Sequence, residues 1–265
     1  MDAMPLGVIL VATLFFVVVA IEVGYRLGQH AHRHAEEEKV PPVSSMAGAI
    51  LGLLAFMLAF TFGIVASRYD ARKALVLTEA NAIRTTWLRT DLLPASERTV
   101  AAGLIRNYVD LRLLAAESRD PDRLRSALGE SVRIQRQLWS AAVASVRNNP
   151  NAPGASPYAE SLIELMRLHS SRVAVALQAR IPFGIWLVLY LLIGLAMIAV
   201  GFHTAIAGSR RSWASPILAF SFSIVIALIA SLDRPMSDFV TVSQQPLADL
   251  RASMGAGSDD GGVSR

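Results

Sequence analysis

The residues able to do chemistry in this chain are few and fall in short clusters. His30, His32 and His34 alternate along the sequence, with Glu36, Glu37 and Glu38 close behind. Imidazole and carboxylate groups are ligands for zinc or nickel. Alternation brings three side chains to one side only in an extended strand, and nothing around them predicts a strand. A metal site also needs fixed geometry and a second ring of supporting groups. The competing reading is a solvated, weakly titrating loop at the membrane surface, and no metal or other cofactor is expected.

Three further places carry charge where charge is costly or shielded. Glu22 is the single charge in the first apolar stretch. Acids within a span often mark an ion or proton path, yet Arg26 follows at the i,i+4 spacing that pairs Glu with Arg on a helix. Glu79 and Asn81 lie in TEANAIRTTWLR beside Arg84 and Arg89, as a ligand site or as a structural network. Asp233 and Arg234 close the last apolar stretch, either as an ion-facing pair or as the anchor that ends a helix.

One apolar pattern also has a functional reading. Gly52, Phe56, Ala59, Phe60, Gly63 and Ser67 recur along one side of the second apolar stretch. Small residues let helices approach closely, whereas phenylalanine rings can form a constriction that gates by dewetting. Pore lining needs symmetry-related copies of the chain.

Enzyme signatures are lacking. There is no HExxH, no GxSxG elbow and no glycine-rich phosphate loop ending in Lys-Ser or Lys-Thr. With no cysteine, disulfides, thiolate metal sites and cysteine nucleophiles are excluded together. No enzymatic activity is expected. Basic residues are nearly all arginine, lysine occurring only at Lys39 and Lys73. They are spread beside acids without a basic run or interleaved aromatics, so no nucleic-acid partner is expected.

The elements that must position these groups follow from hydropathy. Of 265 residues, 53% are hydrophobic and 17% charged, against about a quarter charged in soluble domains. The deficit is concentrated in four runs: Leu6 to Tyr25, Met46 to Ala66, Ile181 to about Phe202, and Ala214 to Leu232. Each approaches the roughly 20 apolar residues needed to cross about 30 Å of hydrocarbon. Met1 to Pro5 hold Asp2 and no Lys or Arg, and the first run exceeds a signal core, so a retained helix is predicted. Trp186 and Trp213 fall near run ends, at headgroup level. Arg26, Arg33 and Lys39 in the first loop and Arg210 and Arg211 in the third favour an outside N-terminus and central domain. Arg68, Arg72, Lys73 and Arg180 on the domain side oppose it.

Between the second and third runs the chain reads as helix. With no proline from Val43 to Pro94, the second span is predicted to continue to about Leu92, with Val76, Ala80, Ile83 and Trp87 on one face. Ser96 is a candidate N-cap for a helix over about Glu97 to Glu117, with Leu104, Tyr108 and Leu111 inward. Asp120-Pro121 opens another, carrying Leu124, Leu128, Val132, Leu138 and Ala142. A loop over Asn148 to Pro157 precedes a helix from near Tyr158 with Leu162, Leu165, His169 and Val173 inward. Pro182 is placed to kink the junction with the third span. Four antiparallel helices make a self-sufficient bundle. The tail after Asp233-Arg234-Pro235 is polar and not clearly periodic, and Gly255 to Arg265 has a disordered composition.

The predicted architecture is therefore all-α and multi-pass: four transmembrane helices with a helical-bundle extramembrane domain between the second and third. Residues 1–67 hold the first two spans and their loop, 68–180 the domain, 181–234 the last two spans, and 235–265 the tail. No internal repeat of the kind found in transporters is present.

The stretch LLAFMLAFTFGIVASRYDARKALVLTEANAIRTTWLRTDLLP resembles the core of the bacterial bestrophin-like domain family, a family of unknown function. SLDRPMSDFVTVSQQPLADLR and EVGYRLG (Glu22 to Gly28) resemble it too, so the similarity spans nearly the whole chain. The family name implies a relation to bestrophins, pentameric anion channels with four membrane helices per subunit and phenylalanine constrictions on the second. It thus implies a homo-oligomer in the bacterial inner membrane, a central domain in the cytosol, a small anion as the permeating partner, and Phe56, Phe60 and Gly63 as pore-lining positions. The alternative is a non-conducting sensor or scaffold that signals through its helical domain.

Overall fold

The structure, a computed structural model, describes residues 5–34, 43–118, 120–148, 153–178, 180–207, 214–234 and 240–256. The described residues form helices α1 (Leu6–His34), α2 (Val43–Arg89), α3 (Ala95–Glu117), α4 (Pro121–Asn148), α5 (Ala155–Gln178), α6 (Phe183–Ile206), α7 (Ala214–Asp233) and α8 (Gln245–Ala256). A 3-10 turn over Thr90–Leu92 follows α2. Helices α1, α2, α6 and α7 are long and apolar enough to cross a membrane. The chain is an all-helical membrane protein with four spanning helices. At 47 residues, α2 is about 70 Å long, more than twice the hydrocarbon thickness. Its charge-free part ends near Ala66, and from Asp70 onward it belongs to the helical unit.

The chain divides into two compact units. One comprises Met1–Tyr69 and Arg180–Thr241, the other Asp70–Ala179 and Val242–Arg265.

In the membrane unit, α1 packs along α6 and α7. The core is Val17 and Ala20 of α1, Leu189, Ile193 and Met197 of α6, and Ile226 and Ile229 of α7. From α2 it receives Leu54, Leu58 and Val65. Two glycines set the closest seam. A Cβ at Gly24 would lie 2.1 Å from the Ile198 carbonyl oxygen, and one at Gly201 would lie 2.1 Å from that of Ile21. Only a residue without a side chain fits such a backbone approach. Higher up, the Thr13 and Tyr190 hydroxyls are hydrogen-bonded at 2.9 Å.

In the helical unit, Val76, Ala80 and Ile83 of α2 pack against Ile105, Tyr108 and Val109 of α3, Ile134 and Leu138 of α4, and Leu162 and Leu165 of α5. Asp120 accepts the Asp122 N–H at 2.9 Å, capping α4 ahead of Pro121 as the sequence predicts.

Several local expectations are corrected. Helix α1 does not stop at Tyr25 but runs on to His34, since no proline interrupts it and polar residues outside the membrane do not end a helix. At α3, Ala95 is already helical and Pro94 takes the cap position expected of Ser96. Pro182 does not kink a continuous helix: α5 ends at Gln178 and Pro182 is the N-cap of α6, because proline prefers the start of a helix. On α4 the buried stripe is Ala127, Ser131, Ile134, Gln135, Leu138 and Ala142, and Val132 is exposed. The aperiodic stretch after Val242 contains α8, whose Leu247, Leu250 and Met254 join the helical core. The loop residues Glu36, Glu37, Glu38, Lys39, Arg210, Arg211 and Trp213, and residues 257–265 of the tail, lie outside the described residues.

Candidate functional site

Helical periodicity turns Glu79 inward with Val76, Ala80 and Ile83, and its side chain is 0% exposed. The partners come from other helices. Arg112 of α3 lies 2.9 Å from Glu79 Oε1 through Nε, and Arg172 of α5 pairs with Oε2. Tyr108, one turn before Arg112, donates its hydroxyl hydrogen to Oε1 at 3.0 Å. His169, on the same face as Arg172, places Nδ1 3.1 Å from the Tyr108 oxygen. Gln135 of α4 donates to that oxygen from 3.4 Å. Arg172 also donates to Gln244 just before α8. One carboxylate thus ties α2, α3, α5 and, through its neighbours, α4 and the α8 entry.

The electrostatics follow from burial and from the two guanidinium groups. Burial alone would raise the Glu79 carboxyl, and it is the largest single influence. The charges and hydrogen bonds of Arg112 and Arg172 together outweigh it and hold the group below the ordinary carboxylate range. Burial, reinforced by the charge of Arg112, lowers His169 to about 4, so it is neutral at pH 7. Burial and the neighbouring Glu79 charge push the Tyr108 phenol far up. The cluster therefore holds an ionised carboxylate between two cations with an excess of positive charge.

Asn81 is not part of this cluster. It is exposed, and its carbonyl accepts a hydrogen bond from Thr85. Residues two apart point to different sides of a helix, which separates Asn81 from Glu79. Arg84 is exposed as well, and Arg89 donates to the Pro157 carbonyl at 2.5 Å. Arg112, Arg172, Gln135 and Gln244 were not singled out from the sequence. The available signal was the spacing of Arg112 four residues after Tyr108 and of Arg172 three after His169, which continues an inward face.

The remaining candidates lie in the membrane unit. Glu22 accepts a hydrogen bond from Arg26 Nε at 2.8 Å. Asp233 Oδ1 accepts the Ile181 N–H at 2.9 Å and lies 3.7 Å from Arg68, joining the start of the third span to the ends of the fourth and second. Arg234 follows the last residue of α7 and is half-buried. His30, His32 and His34 fall within helix α1 and not on a strand. Among the described residues, no group of three or more His, Asp or Glu is placed to hold a metal.

The stripe on α2 faces away from the core of its own chain. Phe56 is 65% exposed and Phe60 58%, their rings stacked with centroids 6.5 Å apart. A Cβ added at Gly52 or Gly63 would meet nothing within 4 Å. Leu54, Leu58 and Val65 occupy the opposite, buried face. An apolar ridge this open is covered by lipid or by another chain.

Comparison with known proteins agrees with this architecture. The family model of the Bestrophin-like domain matches residues 11–247. Two solved single-site variants of a bacterial bestrophin homologue from Klebsiella pneumoniae superpose over most of their length. One has a TM-score of 0.65 at 17% identity, covering 95% of this chain and 96% of the other. The second has a TM-score of 0.64 at 18% identity, covering 95% and 98%. At such identity the likeness is one of fold. No curated protein matches the chain.

Proposed function

We propose that this chain, which belongs to the Bestrophin-like domain family, is the subunit of a homo-oligomeric ion channel for small anions in the bacterial inner membrane. The observation that carries the reading is the exposed ridge of Phe56, Phe60 and Gly63 on α2. These residues are apolar and point away from the fold of their own chain. Copies arranged around a common axis would cover the ridge and line a narrow apolar passage, the geometry in which a constriction gates by dewetting. A pentamer is the assembly that the bestrophin relation favours. The same relation favours a small anion as the permeating ion.

The test is conduction by purified protein in planar bilayers. Anion currents are expected, with Phe56→Ala or Phe60→Ala changing conductance or gating. A monomer in mild detergent that is silent in bilayers overturns the proposal.

A second reading, a non-conducting sensor or scaffold, draws on the continuity of α2 from Val43 to Arg89, which carries both the apolar ridge and Glu79. It requires a separate output partner. Recovery of one by cross-linking in cells, from a chain that carries no current, would favour it.

A further inference from the structure

The ridge of Phe56, Phe60 and Gly63 does not end with the charge-free part of α2. Ser67, Asp70 and Ala74 follow it at the same alternating steps of four and three, the spacing that holds residues to one helix face, and all three are exposed. Leu77, Arg84 and Leu88 belong to the same series. Leu77 is 53% exposed and Leu88 58%. Between them and Phe60 stand Arg68, Asp70, Arg72 and Lys73, and charges are costly in hydrocarbon. Lipid therefore cannot cover this face along its whole length, whereas further copies of the chain can.

Asp70 is the first charge in the series. It is exposed and makes no hydrogen bond or ion pair among the described residues. Arg68, Arg72 and Lys73 fall outside the series, and Arg68 is turned to Asp233. The other charge on the face is Arg84, exposed and of opposite sign, so distance decides between them. At about 1.5 Å per residue, Asp70 stands about 10 Å along the helix from Gly63, and Arg84 about 30 Å. Fields in salt fade over a Debye length of about 8 Å. At the apolar ridge the carboxylate prevails.

We propose, resting on the channel reading above, that Asp70 is the residue that weighs anions against cations. Copies around a common axis bring its carboxylates together as a ring beside the apolar passage. Such a ring draws cations and holds back anions. The preference for small anions is therefore held down by Asp70 and rises when its charge is removed.

The test is the reversal potential of the full chain in planar bilayers under a potassium chloride gradient. Asp70→Asn is expected to raise the chloride-to-potassium permeability ratio by on the order of tenfold, while Arg84→Gln leaves the ratio near that of wild type. The chain has no cysteine, so Asp70→Cys offers a single thiol to methanethiosulfonate reagents in channels already conducting. A sulfonate-bearing reagent should return the ratio toward wild type, and an ammonium-bearing one should carry it beyond that of Asp70→Asn. Misfolding cannot imitate this pair of opposite shifts, because both reagents act on open channels. Conduction with an unchanged ratio in Asp70→Asn, and no response to either reagent, overturns the role of Asp70 and leaves the channel reading standing. Absence of current from wild type overturns both.

Discussion

Tyr108 spends its only hydroxyl proton on Glu79, 3.0 Å away, and this fixes the state of the imidazole behind it. A carboxylate can only accept, so the phenolic oxygen is left with lone pairs for His169 Nδ1 at 3.1 Å and Gln135 Nε2 at 3.4 Å. His169 must therefore carry its proton on Nδ1 and donate. All three contacts to the Tyr108 hydroxyl are then satisfied with one donor and two acceptors.

Glu79→Gln should destabilise the helical domain by about 3–5 kcal/mol, because it leaves two buried guanidinium groups without their counter-charge. Asn81→Ala, exposed two residues away, should change stability by no more than about 0.5 kcal/mol. Thermal unfolding in detergent, followed by far-UV circular dichroism, separates the two. Equal effects would mean that Glu79 is not the centre of the clamp.

Acid should weaken the same domain in a defined window. His169 sits at about 4 in the fold against an ordinary 6.5. The unfolded chain therefore binds the extra proton between these values, and stability falls as pH drops from 6.5 to 4, by on the order of 3 kcal/mol. Glu79 has the same sign at lower pH: its depressed carboxyl contributes stability above 4.5 that is lost as pH falls through its folded value. His169→Asn keeps a donor for Tyr108 and removes the titration. Melting curves against pH should flatten between 6.5 and 4 in that variant.

The α1–α6 seam should be intolerant of any added bulk. Gly24→Leu and Gly201→Leu would drive atoms into facing backbone 2.1 Å from a Cβ, and overpacking of this kind costs about 1–3 kcal/mol or more. Gly63→Leu has open space around it and should leave the melting of the isolated subunit unchanged. A change in oligomeric state in Gly63→Leu alone would assign that glycine to contacts between chains.

Helix α8 should behave as a structural part of the domain. Deleting residues 245–256 uncovers the core faces that Leu247, Leu250 and Met254 bury, so proteolysis of the domain should accelerate. Arg251→Ala removes an ion pair with Asp110 that is about half in water and should cost below about 1 kcal/mol. Limited proteolysis of both variants tests the contrast.

The membrane helices were legible because lipid imposes one demand on every residue of a span, and the run from Met46 to Ala66 meets it with no charge at all. The core face of α2 was legible because Val76, Ala80 and Ile83 are apolar at regular spacing. The face of α4 was not. Ser131 and Gln135 are buried there, their polar ends satisfied by the Ala127 carbonyl and by Tyr108, so counting apolar residues puts the stripe one position off at Val132. Helix α8 was hidden for another reason: it is only 12 residues long, and its large apolar side chains are the three of one short stripe, Leu247, Leu250 and Met254, set among charged and small residues. Glu79 could be picked out, but its partners could not. Arg112 and Arg172 look like ordinary surface arginines until the fold brings α3 and α5 against α2.

The glycine seam assigns mechanical roles within the membrane unit. Where main chain rests on main chain, as at Gly24 and Gly201, there are no flexible tips to rearrange and no direction in which one rod can slip past its neighbour. Helix α2 meets the membrane core through side chains such as Leu54, Leu58 and Val65, so its fit depends on interlocking side chains, which can be repacked by substitution, and not on touching backbones.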